Sequence, residues 1–233
     1  MLLLAGCTQA GDFEKANEFY DQGRFPEAKQ IYERLVDSGT RSANLFHNLG
    51  NTDYRIGSTG RAILGYERAL VLEPGHPEAT ANLKLLREQT HASTLDSPFA
   101  ERALLRLGED AWTIVGAVAA WIAIFSLVLL CTAAVRDRTV WWIGAVCGVA
   151  LAAIAVIGVR LHLRDHALAI VTARDAEAHL APAESAALAG IFPAGSRVRV
   201  LSERGPWIYC ELPGDRRGWL AAGTLERVRP ASS

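Results

Sequence analysis

The sequence predicts a multidomain chain: an all-α region of helical repeats, a transmembrane helical hairpin and a small all-β barrel. Three observations predict it. The first third of the chain matches itself at an offset of 34 residues. The middle holds two long apolar runs without a charged residue. From about residue 167 onward, short alternating runs are separated by glycine and proline, the pattern of a small β domain.

At the 34-residue offset Gly23 matches Gly57, Ala28 matches Ala62, Tyr20 matches Tyr54 and Asn17 matches Asn51, with Ala16 opposite Gly50. Tyr32-Glu33-Arg34 matches Tyr66-Glu67-Arg68. The second unit carries Leu49-Gly50, Tyr54, Gly57, Ala62, Tyr66, Ala69 and Pro74. This period and these residues resemble the tetratricopeptide repeat. Small Gly50 and Ala62 allow two helices to approach closely, and Tyr66 fills the groove between them. Gly57 suits a helix C-terminus that needs positive φ, and Pro74 stops the helix before it. The first unit is weaker, with Leu35 in place of Ala69 and Thr40 in place of Pro74. The repeat domain is expected over 11–90, as units of about 9–42 and 43–76 and a capping helix over 77–90 that buries Leu83 and Leu86. Two units and a cap lie near the lower limit for a stable stack, so help is expected from the membrane anchor or a partner.

The resemblance implies a concave, peptide-binding face built from the first helix of each pair. It would hold Asn17, Tyr20, His47, Asn51, Tyr54 and Arg55. Asparagine and tyrosine suit capture of an extended peptide by hydrogen bonds to its backbone. Packing of Tyr20 and Tyr54 between repeats is the equal alternative.

Residues 111–135 and 139–159 carry no charge. About 20 apolar residues cross a bilayer core as a helix, so two spans are expected, preceded by a linker and juxtamembrane segment over 91–110. Ser97-Pro98 is a good helix start within that segment. Trp112, Trp141 and Trp142 stand at span ends, where aromatic belts form. The connection Arg136-Asp137-Arg138 is short, so the spans form an antiparallel hairpin. Parity then places the repeats and everything after residue 160 on one side of the membrane.

Two signals disagree about which side. Arg102, Arg106, Arg160 and Arg164 outnumber Arg136 and Arg138, which draws the flanks to the cytoplasm. Leu4-Ala5-Gly6-Cys7 has the form of a lipid-attachment site read after export, and residues 1–10 read as the remnant of a signal peptide. The leader is expected to begin upstream. Cleavage before Cys7 gives a lipidated terminus; cleavage after Ala10 gives an unlipidated one. The favoured placement is the bacterial inner membrane with both flanking domains in the periplasm.

A net charge of −1 argues against nucleic acid as a partner. The four cysteines have no CxxC spacing, so neither a metal knuckle nor a redox motif is indicated. His162 and His166 stand at i, i+4, but no glutamate completes a metalloprotease motif, and a solvated helix face is the favoured reading. Cys210 alternates with Ile208 and Leu212, which marks a buried strand position rather than a nucleophile. There is no GxSxG elbow and no phosphate loop. No catalytic, metal or cofactor site is expected.

The C-terminal module is expected over 167–229, with strands at 168–172, 196–201, 207–212, 217–221 and 225–228 and a turn at 213–215. Gly195, Val198, Val200, Gly205, Trp207, the turn at Gly214 and Gly218-Trp219 make it resemble bacterial SH3-like domains. The resemblance implies a targeting or cell-wall-binding role. Trp207, Tyr209 and Trp219 could line a groove for a peptide or glycan, with Trp219 the favoured core residue.

The order of modules, with the stretch from Asn48 to Leu83, resembles the BatE-like family, the tetratricopeptide members of the bacterial aerotolerance (Bat) group. The resemblance implies a non-enzymatic, membrane-anchored adaptor that binds protein partners, among them membrane proteins bearing von Willebrand A domains. The alternative is a sensor or targeting protein that binds peptidoglycan through the SH3-like module. A third reading, a hydrolase, lacks a nucleophile or metal site.

Overall fold

A computed structural model describes residues 2–95, 104, 107–131 and 138–229, with the side chains of 2–10, 109 and 165 set aside. The Cys7 side chain, Ser97-Pro98, Arg102, Arg106 and the turn at 136–137 lie outside the described residues. The chain forms two compact units. One joins Met1–Asp96 to Ala167–Ser233; the other is Ser97–His166.

The first unit begins with five helices: α1 (Leu2–Asp21), α2 (Phe25–Asp37), α3 (Ala43–Ile56), α4 (Thr59–Leu72) and α5 (Pro77–Thr90). Ser42 caps α3, its hydroxyl accepting from the Leu45 N–H at 3.1 Å. Gly57 ends the helix at φ +88°, where a side chain would be strained. Ala16, Ala28, Ile31, Tyr32, Leu45 and Leu49 form the core under α1–α3. The α3–α4 crossing is close because glycine meets glycine. A Cβ on Gly65 would lie 2.8 Å from Gly50 Cα, and one on Gly50 would lie 2.9 Å from the Tyr66 ring. Gly50 was expected at this contact; Gly65 was not.

Seven strands follow: β1 (Leu168–Val171), β2 (Asp175–His179), β3 (Leu188–Pro193), β4 (Arg197–Arg204), β5 (Trp207–Leu212), β6 (Arg216–Ala221) and β7 (Leu225–Arg227). They form one antiparallel sheet in the order β3-β2-β6-β5-β4-β1-β7. β2 and β3 were not expected. Asp-Ala-Glu-Ala-His has no β-branched residue and reads locally as helical, but its alternation buries Ala176 and Ala178 beneath the sheet. Val198, Cys210, Leu212 and Leu220 complete that core.

β1 belongs to two cores at once. Ala169 and Val171 face the sheet core, while Leu168 and Ile170 pack with Ile63, Leu83 and Leu86 of the helices. A strand buried on both faces reads as a continuous apolar run, here Leu-Ala-Ile-Val. Glu67 on α4 is buried and pairs with both Arg87 and Arg197. Arg68 donates to the carbonyls of Arg227 (2.9 Å) and Val228 (3.3 Å). The helices are therefore covered by the chain's own sheet.

The second unit contains α6 (Glu109–Cys131) and α7 (Arg138–Asp165). Stretches of 22 and 27 residues within them, with mean hydropathy 2.7 and 2.4, are long and apolar enough to cross a membrane. They pack through small residues: Gly144 lies against Ser126, Gly148 against Ala119 and Ala123, and Gly158 against the Trp112 ring. Trp121, Phe125 and Trp142 remain exposed. Trp112, expected in an interfacial belt, is instead buried on Gly158 and donates to Leu104 O at 2.9 Å. His162, expected on a solvated face, is buried with Nε2 2.7 Å from Leu107 O.

Candidate functional site

The 34-residue period sets up a repeated hydrogen-bond node. Asn17 Oδ1 on α1 accepts from the Tyr32 hydroxyl on α2 (2.6 Å) and from Asn48 Nδ2 on α3 (2.9 Å). Thirty-four residues on, Asn51 Oδ1 on α3 accepts from the Tyr66 hydroxyl on α4 (2.8 Å) and from Asn82 Nδ2 on α5 (3.1 Å). Each node ties the two helices of a pair to the first helix of the next. Burial pushes the Tyr32 hydroxyl up to about 12 and raises that of Tyr66 as well, so both stay protonated donors.

The nodes border a groove of about 340 Å³ lined by Asn17, Tyr20, Asp21, Tyr32, Asn48 and Asn51. Its lining is uncharged apart from Asp21. Tyr20 stands edge-on to Phe25 at 5.3 Å. His47 extends the polar row. Its Nε2 lies 3.4 Å from Asn51 Nδ2 and 3.3 Å from Asn82 Nδ2, so it accepts from two donors and is neutral. Burial, and after it the nearby His76, lowers its pKa below the ordinary histidine value. The His76 ring is 4.9 Å away, its Nδ1 accepting from Ala79 N–H at the start of α5 and its Nε2 3.3 Å from Asn44 Oδ1.

Of the six residues expected on the concave face, Asn17, Tyr20 and Asn51 line this groove and His47 adjoins it. Tyr54 and Arg55 are exposed beside it, with the Arg55 guanidinium over the Phe25 ring at 4.6 Å. Tyr54 is 41% exposed. Asn48 and Asn82 were missed, although they match each other at the same 34-residue offset.

The sheet presents a second feature. Tyr209 and Trp219 are partners across β5 and β6, with ring centroids 5.0 Å apart. The His179 ring stands edge-on to Trp207 at 5.4 Å, its Nδ1 3.0 Å from Ala186 O. All three expected aromatic residues are half-buried on one face, and Trp219 is not a core residue. The alternation that buries Gly218 and Leu220 turns Trp219 outward. Beneath them Cys210 is buried, and burial pushes its thiol up to about 12, which keeps it protonated at neutral pH. Among the described residues no group of three or more His, Cys, Asp or Glu is placed to hold a metal ion.

No protein-family model matches this chain, and no curated protein matches it.

Proposed function

We propose that the chain is a non-enzymatic, membrane-anchored adaptor of the BatE-like kind, which grips an extended segment of a protein partner on its tetratricopeptide-type helices. The observation that carries the reading is the groove beside the repeated Asn–Tyr–Asn nodes. Its walls offer amide and hydroxyl groups held in place by hydrogen bonds, which suits a peptide backbone and gives no grip on a purely apolar ligand. Partners bearing von Willebrand A domains follow from the family resemblance alone.

Two-pass topology is supported by the compact first unit. Segments before and after the apolar helices share a core and a buried ion pair, so both lie on one side of any membrane between them. The periplasm is the side we favour, in keeping with the export-like start. Reporter fusions after residue 90 and at residue 233 are expected to report the same side.

Co-purification from detergent-solubilised membranes tests the groove. Tyr20→Ala and Tyr54→Ala leave the nodes intact and are expected to deplete the partner; an unchanged partner set refutes the assignment. A second reading, binding of peptidoglycan by the SH3-like module, is favoured by the outward Trp207, Tyr209 and Trp219. Sedimentation of the full chain with purified peptidoglycan, with and without Trp207→Ala, separates the two.

A further inference from the structure

Where the sheet docks on the helices, a cleft of about 360 Å³ opens that belongs to neither part alone. Phe46 on α3, Leu72 at the end of α4 and Val228 after β7 form its apolar surface. Arg41, Arg68 and Arg229 stand around it, and among the described residues no carboxylate lines it. Arg41 is fixed there by donating from Nη1 to Val36 O (2.5 Å) and Thr40 O (3.0 Å). The Arg68 guanidinium lies over the Phe46 ring at 5.9 Å. Leu72 is 47% exposed, a large apolar side chain left open to water at the rim.

The positive charge here is crowded. Burial is the main cause that lowers the Arg68 pKa, and Arg41 and Arg61 lower it further. Glu226, from the β7 side at 3.6 Å, and more weakly Asp53 oppose this, both outside the cleft lining. An anion seated between Arg41 and Arg68 would relieve that repulsion while an apolar group covered Leu72 and Phe46.

We propose that this cleft docks a peptide segment of a protein partner in which an acidic residue adjoins a bulky apolar one. Its volume is near the lower end for small-ligand clefts, with room for a short pair of side chains. The site is distinct from the polar groove of the repeats. It exists only while β7 is docked on α4, so it reads the assembled unit rather than either part.

The test uses the full chain in nanodiscs of zwitterionic lipid and a fluorescein-labelled peptide, Gly-Ser-Gly-Leu-Phe-Glu-Gly-Ser, followed by anisotropy. Binding is expected to weaken about tenfold in the Arg41→Glu chain, to weaken with Leu72→Ser, and to fall with rising salt. A Glu→Gln peptide is expected to bind about tenfold more weakly. Arg41 is exposed, so its exchange leaves the fold in place, which the melting temperature verifies. Equal binding of the Glu and Gln peptides, or indifference to Arg41→Glu, would overturn the proposal. So would loss of peptide binding in nanodiscs of anionic lipid, which would make a lipid headgroup the occupant. A gain in affinity on removing residues 230–233 would make the chain's own terminus the occupant and overturn it equally.

Discussion

Arg197 donates a 2.8 Å hydrogen bond to Glu67, joining β4 to α4 across 130 positions of sequence. Glu67 is 4% exposed and holds Arg87 with its other oxygen. A carboxylate so buried is tolerable only because two guanidiniums neutralise it. Removing it with Glu67→Ala leaves two half-buried positive charges facing each other. The expected loss is about 3 kcal/mol or more in chemical denaturation of the detergent-solubilised chain. Glu67→Gln keeps the shape and is expected to cost less.

The same interface depends on a glycine. A Cβ on Gly60 would lie 2.8 Å from Thr172 Cα and equally close to the carbonyl oxygens of Val171 and Thr172. These are backbone atoms at the C-terminal end of β1 and just beyond it, and they cannot swing aside. Gly60→Val is therefore expected to separate α4 from β1 at a cost of about 1–3 kcal/mol. Limited proteolysis checks it: cleavage after Arg174 should quicken relative to the unsubstituted chain.

The repeated nodes predict coupling. Asn51→Ala strands the Tyr66 hydroxyl and leaves Asn82 Nδ2 with His47 alone, and is expected to cost about 1–3 kcal/mol. Tyr66→Phe removes the donor and leaves the acceptor served by Asn82, so it should cost about 1 kcal/mol. The double variant is expected to be less destabilised than the sum of the two. Strict additivity in denaturant titrations would contradict a shared node. Asn17 and Tyr32 should behave alike.

Helix pairs, the two long apolar helices and five of the strands were legible because each follows from one period in the sequence. The offset of 34 residues aligned Asn17 with Asn51 and Tyr32 with Tyr66, but the bonds between them join different helices, and no local pattern specifies that. β2 was hidden because small alanines suffice under a crowded sheet where local propensity asks for branched residues. Trp219 was misjudged because a large aromatic beside Gly218 suggests a core. The burial of Gly218 and Leu220 on either side of it, and its pairing with half-buried Tyr209, show that it faces outward. The docking of sheet on helices was out of reach, since Glu67 and Arg197 are ordinary charged residues until the fold buries one between others.

His47 carries a pH dependence whose sign follows from its partners. Asn51 Nδ2 and Asn82 Nδ2 both point donors at Nε2, so protonation removes an acceptor and sets N–H against N–H. His76 and Glu78, both at the start of α5, and Tyr66 from α4 also face the ring; His76 disfavours its charge and Glu78 favours it. Burial is the largest cause, and the net shift is downward. The unfolded chain therefore takes up a proton at a higher pH than the folded one. The stabilisation is fully present above the unfolded value of about 6.5 and is lost as pH falls through the folded value. The comparison must isolate His47. Melting temperatures of the full chain at pH 7.5 and pH 5 should differ more than those of His47→Gln, whose amide can still accept from Asn82 and does not titrate. Equal pH dependence in the two chains would show that His47 is already solvated, and the polar row beside the groove would then end at Asn51.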